Sequence, residues 1–335
     1  MTTAPTTLPS AHEAVDWRAL TPADAAELLQ LVNALEERDR ALFRTSLTEV
    51  EEMLGRPGLA QVVGGYAAKD DCDALVAFGY VGLARSGQPK AICHGGVHPD
   101  CRKQGIGETL LQWQTNLGKD LLRSAFPAQE SQVVHAVDAS RNRFHAHLEA
   151  LGYQWSHSFA ELRRDVAEDL EEREPLRFME IVPWSEGWDG PARRAFNRAA
   201  TQSQSMEALS PKEWEERHSQ MDRSLSFLAI DRSADRAKVA GLIEVGVYPE
   251  DWEVLGWKEG YIDTVAVFDP AVRTPVLEAL IGRVVKALRE AGMDKAAAGI
   301  DPMGDPEMMA FYSSVDFHPH VWWRHYGLPV SPVEG

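Results

Sequence analysis

The chain has 335 residues, a length that suits two domains, and its 34 basic against 51 acidic side chains leave a net charge of −17. With 44% apolar and 25% charged residues it reads as an ordinary globular protein with ample chain for a core. The charge argues against a nucleic-acid partner, because no stretch concentrates Lys and Arg into a patch that a phosphate backbone could use.

Residues 1–16 are small, polar and Pro-containing, without the basic start and apolar stretch of a secretion signal, and are expected to form a flexible tail. No apolar run approaches the ~20 residues of a membrane span. The three cysteines, Cys72, Cys93 and Cys101, are too few for a disulfide framework; a reducing, cytoplasmic setting follows. Thr21-Pro22-Ala23-Asp24 is a helix start, and Leu28, Leu31, Val32 and Leu35 keep a helical period behind it. Strand-like runs cover 61–67, 74–84 and 91–98. A Gly-containing loop then leads into an amphipathic helix over 106–122, followed by a strand at 132–137, a helix at 143–151 and a strand at 159–163. The acid-rich run 166–175 ends in Pro175 and reads as a solvated linker or an exposed helix.

The second half repeats this order, with strands at 178–182, 225–231, 238–248, 261–268 and 295–300 and helices at 276–291 and 307–314. HPDCR at His98–Arg102 answers to DPAVR at Asp269–Arg273, and LEALGY at Leu148–Tyr153 answers to YSSVDF at Tyr312–Phe317. Two copies of one mixed α/β fold are therefore expected, the first over 17–167, a linker over 168–175 and the second over 176–335.

The chemistry lies in Gly95-Gly96-Val97-His98-Pro99-Asp100-Cys101-Arg102-Lys103-Gln104-Gly105-Ile106-Gly107-Glu108. A strand ends at Val97, Pro99 stops the ladder, and a turn delivers Gly105 and Gly107 to a helix N-terminus. Unpaired amides and the positive helix end there suit a pyrophosphate. A P-loop would need Lys-Ser/Thr after Gly107, and a Rossmann turn would need Gly or Ala where Leu110 stands. Both readings fail.

The stretch resembles the coenzyme A signature of the GNAT acetyltransferase superfamily, Arg/Gln-x-x-Gly-x-Gly/Ala after a strand ending Val-x-Pro. With ALSPKEWEERHSQMDRSLSFLAID, VAGLIEV and EGYIDTVAVFDP in the second half, nearly the whole chain resembles the tandem two-domain group of that superfamily to which mycothiol synthase belongs. The resemblance implies α/β (α+β) domains, each a mixed, mostly antiparallel sheet flanked by helices. It implies an N-acetyltransferase that moves an acetyl group directly from acetyl-CoA to a primary amine of a small molecule or peptide, without a metal. The acceptor is left open, with a weak lean toward a cationic amine; the state is monomer or homodimer. Cofactor contacts carry over to Gly95, Gly96, Val97, Arg102, Lys103, Gln104, Gly105, Ile106, Gly107 and Glu108. The Gly95-Gly96 pair would also admit a bulge that splays the strand.

The second copy departs from the signature, with Val276 and Glu278 where the glycines stand, and is expected to hold the cofactor poorly. The resemblance implies a Tyr general acid, but in the first copy that slot is Leu148, and only the second copy offers one, Tyr312. Candidates for the general base are His94 first, then His98, His135, Asp138 and His145. Trp252, Trp257, Tyr261, Trp322 and Trp323 either line an acceptor pocket or pack between the domains. A rival reading is a non-catalytic, regulatory acyl-CoA-binding module.

Overall fold

The computed structural model describes residues 7–55, 60–67, 74–84, 88–168, 170, 176–200 and 208–332; Cys72 and most of the acidic run lie outside them. The chain forms two compact units, one of Met1–His157 with Arg324–Gly335 and the other of Ser158–Trp323.

The first unit opens with β1 (Val15–Ala19), a 3₁₀ turn at Pro22–Asp24 and helices α1 (Ala25–Asp39) and α2 (Leu47–Leu54). Strands β2 (Ala60–Ala67), β3 (Leu75–Ala84) and β4 (Lys90–Val97) follow, then a 3₁₀ turn at Pro99–Cys101, α3 (Ile106–Ala125), β5 (Ser131–Asp138) and α4 (Asn142–Ala150). Strand β6 (Gln154–Asp165) passes into the second unit at Ser158, and the last strand, β12 (His318–Val330), returns to the first at Arg324. The sheet runs β1-β2-β3-β4-β5-β12, antiparallel from β1 to β4 and parallel between β4 and β5.

Helix α3 is amphipathic: Ile106, Leu110, Leu111, Trp113, Leu117 and Leu122 are buried, at about 1.5–3 kcal/mol for each large side chain. It lies so close to β5 that a Cβ on Gly118 would come within 3.0 Å of both Val133 methyls. The core beneath it draws on the chain's far end, through Tyr326 and Val330.

The second unit contains β7 (Met179–Pro183), α5 (Glu186–Ala200), α6 (Pro211–Arg217), β8 (Phe227–Asp231), β9 (Lys238–Val247), α7 (Trp252–Leu255) and β10 (Glu259–Val267). A 3₁₀ turn at Pro270–Val272, α8 (Arg273–Glu290), β11 (Lys295–Ile300) and α9 (Pro306–Ser314) complete it. Its sheet runs β6-β11-β10-β9-β8-β7, and only β10–β11 is parallel among the registered pairs.

The repeat holds at the level of turns. His98 accepts the Asp100 amide across the first 3₁₀ turn, and Asp269 accepts the Ala271 amide across the second. After α4, Gly152 has φ 87° and the Tyr153 amide bonds to Leu148 O at 3.0 Å; after α9, Asp316 has φ 61° and Phe317 bonds to Tyr312 O at the same distance.

Two expectations need correction. The described part of the tail is docked: Thr7 accepts a hydrogen bond from Trp113 and donates one to Gln61, and β1 begins at Val15. The units do not follow the linear boundary, because the buried side chains of Ala160, Leu162 and Val166 belong to the second core and Tyr326 to the first. The expected linker at 168–175 is described only at Glu168 and Leu170, where Glu168 O accepts Arg164 and Arg289 and Leu170 packs on the second core.

Candidate active site

Strand β4 pairs with β5 only from Lys90↔Gln132 to Cys93↔His135, so the two strands part at His94. On its other edge β4 stays in register with β3 through Gly95 and Gly96 to Val97, with no bulge. The expected bulge is absent, and the glycines have other causes. A Cβ on Gly95 would sit 2.5 Å from Phe78 O, and one on Gly96 would sit 2.5 Å from Leu35 Cδ1 of α1. The His98 amide bonds to Val76 O, so by the alternation of an antiparallel ladder the Val97 amide faces away from β3, into the opening.

The signature loop closes one end of this opening. Lys103, Gln104, Gly105, Gly107 and Glu108 are exposed, whereas Ile106 is buried against Val97, Val15 and Ala77 and offers only its amide. Gly105 has φ 86°, which favours glycine, and stands at the N-cap of α3 with no side-chain cap. A Cβ on Gly107 would meet only Val97 Cγ2, at 3.7 Å, so the space above this turn is free for a ligand. Arg102 does not reach into it: its guanidinium is bidentate to Asp39 at 2.8 and 2.9 Å, and its Nε donates to Val97 O.

Asp39 also accepts from Arg141 at the start of α4, at 2.9 Å. Burial would raise this carboxyl's pKa, but the two guanidiniums outweigh it and hold it below the usual range. One side chain on α1 thus ties down the loops on both sides of the opening.

His12 acts on the same loop. Its Nδ1 accepts the Ala14 amide at 3.2 Å, so a neutral ring carries its proton on Nε2, which lies 3.0 Å from Gln104 O. The carbonyl and amide of one trans peptide point in opposite directions. Anchoring Gln104 O therefore turns the Gly105 amide away from His12.

His94 is solvent-accessible but sits in a crowded cleft, its ring 5.9 Å from that of Tyr80; desolvation lowers its pKa and keeps the ring neutral near pH 7. Its carbonyl accepts from Gln114, a buried amide on α3 that also reaches Tyr80 O. His135 is buried edge-on to Phe144 and Tyr153, with Nε2 unpartnered among the described residues and its pKa pushed down to about 3, mainly by burial. The other base candidates have local duties: His98 caps its turn, Asp138 accepts from Ser140 and His145 bonds to Asp138 O. Cys93 is buried and desolvation raises its thiol pKa, which removes it as a nucleophile at neutral pH. Among the described residues there is no group of three or more metal-ligating side chains.

In the acid slots, Leu148 is fully buried and Tyr312 lies in the second core against Phe317, its hydroxyl pKa raised by burial. The second unit's counterpart of the signature is rebuilt: α8 begins at Arg273 itself, Pro275 removes an amide from its first turn, and Val276 points into the core. Arg273 pairs with Asp305 and Glu307 beside α9. Trp252 and Trp257 bond to Glu259, Trp323 bonds to Glu161, and Trp322 is exposed.

Asp39, Gln114 and His12 escaped sequence reasoning. Each works through a partner 20 to 92 residues away, and no local pattern marks them.

No protein-family profile and no curated protein matches the chain. Solved structures do. A GCN5-related N-acetyltransferase from Sphaerobacter thermophilus aligns with TM-score 0.71 and 20% identity over 96% of this chain and 98% of its own. A tandem GNAT protein from the clavulanic acid biosynthesis pathway aligns with TM-score 0.66 and 15% identity over 96% and 100%. Saccharomyces cerevisiae N-myristoyltransferase with bound myristoyl-CoA aligns with TM-score 0.60 and 14% identity over 96% and 81%. The fold is that of the GCN5-related N-acetyltransferases, present twice in tandem. At these identities the likeness is one of fold. No helix among the described residues is long and apolar enough to cross a membrane.

Proposed function

We propose that the chain is an acyl-CoA-dependent N-acyltransferase whose first unit holds the donor and whose acceptor is a primary amine of a small molecule or peptide. One observation carries the reading: the strands β4 and β5 part directly beside an exposed, glycine-bearing helix start with free space above Gly107. The amides of Gly105, Ile106 and Gly107 and the positive end of α3 suit a pyrophosphate. Acyl-CoA, when bound, supplies an activated thioester carbonyl. His94, neutral and accessible, accepts a proton from the attacking nitrogen, directly or through water. The Val97 amide faces the opening as a donor for charge developing on the carbonyl oxygen. With Leu148 in the acid slot, the proton for the departing thiolate comes from water. The second unit, whose helix start lacks the glycines, serves the acceptor or supports the first. Acetyl is the expected acyl group.

The test is thiol release from acetyl-CoA over an amine panel, with calorimetry for stoichiometry. One site per chain and turnover with at least one amine are expected, and His94→Gln should lower kcat about 100-fold. A second reading, a regulatory acyl-CoA-binding module without turnover, is favoured by Leu148; binding with no thiol release from any amine would establish it.

A further inference from the structure

The second unit has an opening of its own. Pairing between β10 and β11 stops at Ile262↔Ala298, and the register of β10 against β9 shifts between Ile262 and Thr264, at Asp263. The Asp263 carboxylate lies over Gly246, where a Cβ would come 2.5 Å from Asp263 Oδ2 and 2.7 Å from the Tyr248 hydroxyl. That hydroxyl donates to Asp263 Oδ1 at 3.0 Å. Gly246 and Glu244 are two apart on β9 and share a face. Asp263 is exposed at the mouth, and Glu244 is 3% exposed behind it, opposite Thr264 in the ladder.

Glu244 has an unmet need. Its Oε2 is buried without a hydrogen-bond partner among the described residues, 3.6 Å from His218 Nε2. His218 Nδ1 lies 2.6 Å from Trp214 O and must carry the ring proton, so the neutral ring presents a lone pair to Glu244. Two lone pairs face each other unless the Glu244–His218 pair holds one further proton.

The structure assigns this opening, we propose, to an alkylammonium group, received by Asp263 at the mouth and by the charge of Glu244 behind, which gives up the proton it holds with His218. No covalent bond forms; the proton leaves to solvent and the ammonium replaces its charge. Burial, then Asp263, pushes the Glu244 carboxyl up to about 7, and desolvation by the groups crowded around the mouth pushes Asp263 up to about 6, so both gain from a cation. The other charged groups around the pair are Arg217 of α6, within 3.5 Å of Thr264, and the Asp189–Arg223 ion pair, which acts on His218. An anion is disfavoured by the two carboxylates. The rings of Tyr248 and Tyr261 pack edge to face, 6.4 Å apart.

The test is calorimetry of the full chain with butylamine, and separately with magnesium ion, at pH 6.5 in two buffers of different ionisation enthalpy. No acyl donor is present, so failure of acyl transfer in the first unit does not affect the outcome. Butylammonium should bind with buffer-dependent heat, and its affinity should rise about tenfold between pH 5.5 and 6.5 as the held proton is released. Asp263→Asn, a change at an exposed position, should weaken binding at least tenfold. Glu244→Gln should cut the buffer dependence to the smaller part that Asp263 carries; where that variant fails to fold, the pH series on the unaltered chain decides. No heat at millimolar butylamine, affinity independent of pH and of Asp263, or a preference for magnesium would each overturn the assignment.

Discussion

Gly107→Asp separates the fold from the ligand, because its expected effects on the two have opposite signs. A Cβ at this position meets only Val97 Cγ2, at 3.7 Å, so the free protein has room for the new side chain. Replacing glycine by aspartate inside a helix gains only ~0.3 kcal/mol in propensity, and a carboxylate in the first turn gains a further ~0.3–1 kcal/mol from the helix dipole. The unfolding midpoint without ligand should hold or rise, by about 2–4 °C. With ligand the sign reverses. A carboxylate ~5 Å from each of two phosphate charges costs about 0.8 kcal/mol per pair at the dielectric of water and about 3 kcal/mol at an effective value near 20. The total of ~2–6 kcal/mol weakens coenzyme A at least ~20-fold. Calorimetric titration with coenzyme A, beside thermal unfolding of the free chain, reads both. Affinity within twofold of the unaltered chain would remove the phosphates from the start of α3. A large drop in midpoint would mean that the fold itself requires Gly107.

His12→Ala releases the Gln104 carbonyl to water; the loss of about 1 kcal/mol of positioning should weaken coenzyme A ~5-fold, and an unchanged affinity would make the contact incidental. Asp39→Asn should raise the KM for the acyl donor and lower the denaturant midpoint together, since Arg102 and Arg141 share that carboxylate; a change in the midpoint without one in KM would make the tie purely structural. His135 gives a pH signature: its folded pKa of about 3 lies below the unfolded 6.5, so the stability of the neutral ring is whole above pH 6.5 and drains as pH falls toward 3. By pH 5 the loss is about 2 kcal/mol, and His135→Phe should flatten the urea midpoint between pH 7.5 and 5. Tyr312→Phe should leave kcat within a few-fold, as suits a residue packed 5.1 Å from Phe317; a ~100-fold loss would make it the acid.

Local chemistry made part of this architecture readable. Pro99, Gly105 and Gly107 mark a strand, a turn and a helix start within a dozen residues, and the 3.6 period of α3 runs unbroken behind them. Strand β1 escaped because VDWRA follows a polar, Pro-containing stretch and finds its partner 52 residues on, as Val15 pairs with Ala67. Helix α2 carries a capping box, Ser46 with Glu49, that was legible and passed over. Strand β12, HPHVWWRHYGLPV, mixes His, Pro and Arg with aromatics and alternates only weakly, so its place rests on neighbours and not on its own pattern. The cofactor loop could be located from sequence, but the parts that hold it could not: Asp39, Gln114 and His12 are defined by non-local contacts.

The entry of Arg324–Gly335 into the first unit sets an order of events during synthesis. Residues up to His157 leave the ribosome long before Tyr326 and Val330, which complete the core under α3. At ~5–20 residues per second the first unit waits on the order of ten to thirty seconds with an open sheet edge beside β5. The second unit begins with Ser158 and ends with Trp323, so one strand, β12, completes both units, and the first has waited far longer for it. The segment that carries the cofactor signature thus waits for the final strand of both units to complete the sheet around it.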